Sequence, residues 1–390
     1  MVVSLSIIGA PGLIGQRHTQ HALDEPNVNL TCIVDPTPAG PPYAEKLGVK
    51  LYRSTEDMLA ARTKGEVRVD AAILATPNAT HVPLGIQLVQ AGIHTLVEKP
   101  FSTDVESGRA LLAAEASSSA KILNPYVVNT KKLLDNGKLG NVLAVQGTWA
   151  CLKPMSHFAA PTEWRREKGT GGVLMINLSH EIDCLRYLFG NITRVYCEVG
   201  ASTRGFPVDE TGAVTLRFGS GVVGTFVFSE CGLPLRTCAL LGLTVVLAAH
   251  QRRLTSLRPQ QARIRSCRKP QALLRFPPLV LLFPWLTNGS VQGETVYTVL
   301  GTQGSLAFPS LQVWHYPSLS GSWTDPLIRS DPLPLDPTPP FTHQLRHFVD
   351  VVEGRAEPRC SGRDALQTIA TLEAIAKSIE TGLPVEVEQM

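Results

Sequence analysis

None of the eight cysteines (Cys32, Cys151, Cys184, Cys197, Cys231, Cys238, Cys267, Cys360) stands in a CxxC pair, so the sequence signals neither a zinc site nor a disulfide framework. Reduced thiols in the cytoplasm are the expectation. The N-terminus, MVVSLSIIGAPG, has no basic stretch ahead of its apolar residues, and that run ends at a glycine turn after about eight residues, too short for a secretory signal. No apolar run is long enough to cross a bilayer: CALLGLTVVLAA is short, and FPPLVLLFPWL is broken by three prolines. Acidic residues are missing from Cys231 to Gly293, where nine basic ones fall: Arg236, Arg252, Arg253, Arg258, Arg263, Arg265, Arg268, Lys269 and Arg275. The formal net charge of +3 therefore hides a remainder at 3 − 9 = −6. That remainder lacks an aromatic-interleaved basic face, so neither nucleic acid nor a membrane is an expected partner.

A chain of 390 residues, 44% of them hydrophobic, most naturally forms two domains. Apolar runs at 2–8, 28–35, 69–76 and 94–99 alternate with helical stretches such as 81–91 and 104–115. Alternation of that kind predicts an α/β domain with a parallel, doubly wound sheet over residues 1–123. Beyond Leu123 the pattern changes. Asn124 and Pro125 open a helical stretch that Gly137 or Gly140 stops. The runs VLAVQGTWA, ITRVYCEV, GAVTLRFG, GVVGTFVFSE and TVYTVLGTQGSLAF then read as strands without intervening helices. Residues 124–390 are thus expected to form an α+β domain on a largely antiparallel open sheet. Helices at 341–353 and 363–381 should pack back near the first domain through Phe348, Val352, Ile369, Leu372 and Ile379.

The turn GAPGLIG, residues 9–15, follows the first strand and opens a helix, so its N–H groups and helix dipole offer a site for a pyrophosphate. Pro11 stands as one extra residue in the GxGxxG pattern. Asp35 ends the second strand where a carboxylate would take ribose hydroxyls and repel a 2′-phosphate, which favours NAD over NADP. A tight structural turn with a solvated Asp35 is the bland alternative. At the end of the third run, Thr76, Pro77, Asn78 and His81 sit on the edge that faces a dinucleotide, with His81 equally readable as a helix cap. In TLVEKPF, Lys99 lies between Glu98 and Pro100 at a strand end, where it is either a surface lysine or chemistry. On the stretch 173–189, Leu174, Leu178, Ile182, Leu185 and Leu188 recur at helical spacing, while Asn177 and His180 share another face.

GAPGLIG, ATPNATH, VEKP, WRREKGTGG, INLSHEID and the C-terminal stretch from Phe348 together resemble the glucose-fructose oxidoreductase and inositol dehydrogenase (Gfo/Idh/MocA) family. The resemblance implies a Rossmann dinucleotide-binding domain and a second domain that holds substrate and carries self-association through its sheet. It implies an NAD-dependent oxidoreductase acting on a sugar, cyclitol or related polyol. Gly9, Gly12, Leu13, Ile14, Gly15, Asp35, Thr76, Pro77, Asn78, His81, Glu98 and Lys99 would hold the cofactor. Lys99 would stand near nicotinamide and substrate hydroxyl, His180 would accept the proton, and Asn177 and Arg165 would hold other hydroxyls. A lysine desolvated there can have its pKa depressed and exchange protons with a hydroxyl. A non-catalytic dinucleotide- or sugar-sensing protein of the same fold is the alternative.

Three departures from the family pattern stand out. Ile176 occupies the position, four before His180, where many members carry aspartate. Leu123 runs straight into Asn124, so roughly seven residues are missing before it and that strand should hold about three or four residues. The resemblance also lapses between Glu230 and Glu294. There the acid-free composition and lost periodicity fit a coding error better than a lid or basic arm, with the sheet expected to resume at Thr295.

Overall fold

The computed structural model describes residues 2–117, 122–123, 131, 134, 137–160, 162–232, 296–308, 310–318, 321–330 and 338–390. The expectations for residues 233–293, for Thr295 as the point of resumption and for Asn124 and Pro125 as a helix start lie outside the described residues.

Six strands build the first sheet: β1 (Val3–Ile8), β2 (Val28–Val34), β3 (Lys50–Tyr52), β4 (Ala71–Leu74), β5 (His94–Val97) and β6 (Ile122–Leu123). All pair in parallel, in the order β3-β2-β1-β4-β5-β6. β1 and β4 are buried along their whole length, as strands covered by helices on both faces must be. The order reverses between β1 and β4. The crevice beyond their carboxyl ends is therefore the place for a ligand. The short β3 and the helices Gly40–Leu47 and Thr55–Thr63 complete the alternation and were not anticipated. Among the described residues β6 is Ile122–Leu123, opposite Thr95 and Leu96.

The second sheet has nine strands: β7 (Val142–Ala150), β8 (Ile192–Val199), β9 (Thr211–Phe218), β10 (Val223–Ser229), β11 (Tyr297–Gly301), β12 (Ser305–Phe308), β13 (Gln312–His315), β14 (Ile328–Arg329) and β15 (Val385–Glu386). Their order is β14-β13-β12-β11-β7-β10-β9-β8-β15, and every pairing but β7 with β10 is antiparallel. Alternate residues of β9 and β10 (Val214, Leu216, Phe218, Phe226, Phe228) are buried beneath helices. Their neighbours Thr215, Arg217, Val223 and Val227 are exposed on the other face. That alternation is the signature of a sheet covered on one side.

Of the two C-terminal helices, the first packs on the first sheet and the second bridges the two sheets. Pro340–Val352 sets Leu345, Phe348 and Val349 against Val3, Leu5 and Ile7 of β1. Burying a phenylalanine such as Phe348 contributes about 1.5–3 kcal/mol. Gly362–Thr381 starts on a capping box made by Ser361 and Asp364 and runs between the two sheets. Its Glu373 accepts from the Val105 N–H at 2.8 Å, while its Thr368 accepts from Arg186 at 2.7 Å. One apolar cluster accordingly runs from Ile8 and Val34 in the first sheet to Val214 and Phe226 in the second.

Candidate active site

The turn after β1 is made for close approach. Gly9 has φ +81°, and a Cβ there would stand 2.6 Å from the Ala75 carbonyl oxygen. A Cβ on Gly15 would meet the Gly9 carbonyl oxygen at 2.2 Å, so both positions require glycine. Pro11 does not open the turn. The Gly12 N–H donates to the Gly9 carbonyl at 3.1 Å, and Gln16 Nε2 reaches the Pro11 carbonyl at 2.7 Å. Gly12 then caps helix Leu13–Asp24 with no side-chain acceptor, and the first turn holds no acid. Those free N–H groups and the dipole suit a diphosphate, with Leu13 left 74% exposed beside them.

Asp35 closes β2 with its Oδ1 accepting from the Thr37 N–H at 2.8 Å and from the Thr37 hydroxyl, so one carboxylate oxygen is committed to the loop. Arg53 reaches back from the end of β3 to donate to the Pro36 and Thr37 carbonyls at 2.7 and 3.0 Å. Thr76, Pro77 and Asn78 form the loop after β4, across the crevice from Gly9, as their place at a strand end requires.

His81 is bonded within the protein. Its side chain is fully buried, with Nδ1 2.7 Å from the Pro100 carbonyl and Nε2 3.0 Å from the Thr76 carbonyl. It ties the loops after β4 and β5 together. Glu98 is likewise bonded within the protein, its Oε1 lying 2.7 Å from His18 Nε2 in a buried pair. Burial alone would raise the Glu98 carboxyl. The His18 hydrogen bond and the charges of His18 and Lys99 outweigh it and hold the pKa below the ordinary value.

Lys99 follows, in a cis peptide with Pro100, and donates from Nζ to the Ile176 carbonyl at 3.1 Å. Burial brings its pKa down to about 8, with Glu98 opposing and Lys153 and Arg165 adding repulsion. Ile176 lies on the facing helical segment. Leu174–Leu178 forms a π turn before helix Ser179–Phe189, so the single helix expected over 173–189 is broken in register. Asp209 holds the start of this segment, accepting from the Leu174 N–H at 2.6 Å. His180 sits within the field of Lys99. Burial and that cation bring it down to about 3, and its Nε2 is buried without a partner.

Asn177 is 3% exposed and its Oδ1 accepts from Lys153 Nζ at 2.5 Å, so the amide oxygen expected to hold a substrate hydroxyl is already engaged. Lys153 also pairs with the fully buried Glu230 at 2.9 Å, and Arg204 lies 3.4 Å from the other oxygen of that carboxylate. Lys153 and Glu230 meet because β7 and β10 run parallel as neighbours, which brings their carboxyl ends to one place. Arg165 faces His157 Nδ1 at 3.0 Å. Burial, together with Arg165, Lys153 and Arg204, lowers His157 to about 4. His18, Lys153, His157, Arg204 and Glu230 escaped sequence reading. Lys153-Pro154 at the end of a strand run repeats the Lys-Pro pattern of Lys99-Pro100 and was the one available signal.

A six-stranded parallel sheet in this order, with an uncapped glycine turn at its switch point and a strand-end lysine facing a histidine-bearing helix, defines a dinucleotide-binding oxidoreductase fold. Two family models match contiguous parts of the chain: "Oxidoreductase family, NAD-binding Rossmann fold" over residues 3–126 and "GFO/IDH/MocA C-terminal domain" over residues 127–234. The chain belongs to the Gfo/Idh/MocA family. It is 31% identical over 197 residues to the rhizopine catabolism protein MocA of Rhizobium meliloti, covering 48% of this chain and 57% of that protein. It is 27% identical over 197 residues to inositol 2-dehydrogenase of Rhizobium meliloti strain 1021, covering 49% and 56%. The chain spans about half the length of these curated relatives. The fold matches the WlbA dehydrogenase of Bordetella pertussis, solved with NADH and UDP-GlcNAcA, at a TM-score of 0.69 and 21% identity over all of both chains. Among the described residues no helix is long and apolar enough to cross a membrane, and no group of His, Cys, Asp or Glu suits a metal ion.

Proposed function

We propose that this protein is an NAD-dependent dehydrogenase of a sugar, cyclitol or related polyol. The observation that carries the reading is the meeting of Lys99 with the His180 segment across the two sheets, next to the glycine turn's crevice. Bound nicotinamide supplies a hydride acceptor or donor. The glycine turn holds the diphosphate, and Asp35 presents its second carboxylate oxygen to the ribose. The hydroxyl proton passes to the Lys99 and His180 pair. His180 and Lys99 share the proton: at about 3 His180 stays neutral and weakly basic, whereas Lys99, near 8, gains and loses a proton at physiological pH. His180 Nε2 can still orient the hydroxyl. Arg165 stands on the substrate side, and Asn177 fixes Lys153.

The rival, a dinucleotide- or sugar-sensing protein without turnover, draws on the two-residue β6 and on Ile176. Nicotinamide reduction over a panel of polyols separates the two. Turnover that depends on NAD supports the enzyme, and tight NAD binding without turnover of any compound supports the sensor. The uncovered face of the second sheet, with Val223, Val227 and Leu300 each 46–47% exposed, supports self-association. Molar mass in solution tests that, and a monomer would refute it.

A further inference from the structure

The π turn that meets Lys99 is held on both sides of Ile176. Ahead of it, Asp209 Oδ2 takes the Leu174 N–H at 2.6 Å and the Asp209 carbonyl takes the Val173 N–H at 3.1 Å. Behind it, Lys153 Nζ donates to Asn177 Oδ1 at 2.5 Å. The Ile176 carbonyl and the Asn177 N–H belong to one planar peptide unit, so a bond that restrains the Asn177 side chain also restrains the carbonyl that accepts from Lys99 Nζ.

Lys153 is itself anchored at both ends. Its N–H donates to the Glu230 carbonyl at 3.0 Å, which carries the β7–β10 pairing past the strand ends. Arg204 Nη2 donates to the Lys153 and Glu230 carbonyls at 2.9 and 2.6 Å. The Lys153 ammonium lies 2.9 Å from Glu230 Oε2 and 5.6 Å from the Trp149 ring centroid, with the side chain only 7% exposed. A buried ion pair is costly and an apolar side chain of similar volume would serve the fold as well, so the cation calls for a reason beyond stability. Its field supplies one. Lys153 and Arg165 both repel the Lys99 ammonium while Glu98 opposes them, and the two histidines that also bear on Lys99, His81 and His180, are held neutral by burial. Burial lowers the Lys153 pKa too, but Glu230 opposes that and keeps the charge in place.

We infer that Lys153 is a positioning residue for the Lys99 and His180 pair, a charged strut from the β7–β10 junction to the π turn that aims the Ile176 carbonyl at Lys99 and sets the field in which that amine works. Its effect runs through Asn177 and through space, and no substrate proton passes to it. Removing the cation relieves the repulsion on the Lys99 ammonium and leaves Glu230 with Arg204 alone, and both changes favour the protonated form of Lys99. The kinetic side of the inference rests on the dehydrogenase reading, whereas the titration of Lys99 does not.

The test compares the full-length wild type with Lys153→Met and Asn177→Leu, singly and together. NMR of isotope-labelled lysine Cε follows the titration of Lys99, its signal assigned by its loss in Lys99→Met. The midpoint should move upward from about 8 in Lys153→Met. On a polyol that the wild type oxidises, each single variant should lose about ten- to a hundredfold in kcat with KM for NAD in place. The pH profile of kcat/KM should shift upward in Lys153→Met together with the NMR midpoint. Adding Asn177→Leu to Lys153→Met should cost nothing further, because the two side chains act as one link. An unmoved Lys99 midpoint in folded Lys153→Met would overturn the inference, as would single losses that multiply in the double variant. If Lys153→Met does not fold, Asn177→Leu leaves the Lys153–Glu230 pair intact, and an unchanged kcat there overturns the inference equally. A raised Lys99 midpoint with no turnover of any polyol by the wild type would uphold the strut and sink the dehydrogenase reading instead.

Discussion

Replacing Glu230 by glutamine removes one charge and almost no volume from a closely enclosed ionic cluster. The Glu230 side chain is 0% exposed, with Lys153 at 7% and Arg204 at 9% on either side of it. Both cations then remain buried beside a neutral amide, a loss worth about 3–5 kcal/mol of folding stability. The deficit should depend on pH. Burial already lowers the Lys153 pKa and Glu230 is the main opposing influence, so its removal lowers the folded pKa further. A lysine with a folded pKa below its unfolded value binds fewer protons when folded, so stability rises with pH between the two values. Urea unfolding at several pH values should therefore show Glu230→Gln weakest in acid and partly recovered in alkali. Adding Lys153→Met should return part of the loss, because one of the two stranded cations is gone. A Glu230→Gln variant within about 0.5 kcal/mol of wild type at every pH would refute the reasoning.

Glu181, buried against the Tyr297 hydroxyl, is raised by burial to about 8 from 4.5. The folded state holds that proton where the unfolded state does not, so stability should fall between those pH values by about 1.4 kcal/mol per unit. Glu181→Gln should flatten the fall, as urea unfolding against pH would show, and an unchanged slope would count against it. Asp35→Ser should lower kcat/KM with NAD by about tenfold and improve NADP relative to it, since Arg53 stands beside the loop. Unaltered cofactor selectivity would exclude Asp35 from the ribose site. In the oxidation direction kcat/KM should rise with pH and level off above about 8 as Lys99 loses its proton. A profile flat through that region would remove Lys99 from the proton path.

The first sheet was legible because its strands are mostly apolar stretches set between helical ones and the glycine turn follows the first of them directly. β9 and β10 were legible for the opposite reason, since one face is buried and the other is not. The site was only half legible. Lys99 and His180 stand in recognisable local patterns, but the partners of Glu98 and His81, which are His18 and two loop carbonyls, come from other parts of the chain and have no local signature. Lys153 and Glu230 are far apart in sequence and become neighbours only through the parallel pairing of β7 and β10. No helical periodicity reports that. The π turn at Leu174–Leu178 also has no signature in a pattern of leucines, and it decides that the Ile176 carbonyl, not a side chain, meets Lys99.

The central claim is that Lys99 handles the substrate proton beside the nicotinamide. Its most direct test is kcat/KM for the Lys99→Met variant on whichever hydroxy compound the wild type oxidises, with NADH affinity measured on the same preparation. Methionine keeps the length of the side chain and removes the titrating amine. The account predicts a loss of about a hundred- to ten-thousandfold in kcat/KM with NADH affinity within about threefold of wild type. A Lys99→Met enzyme that retains most of its turnover would contradict it.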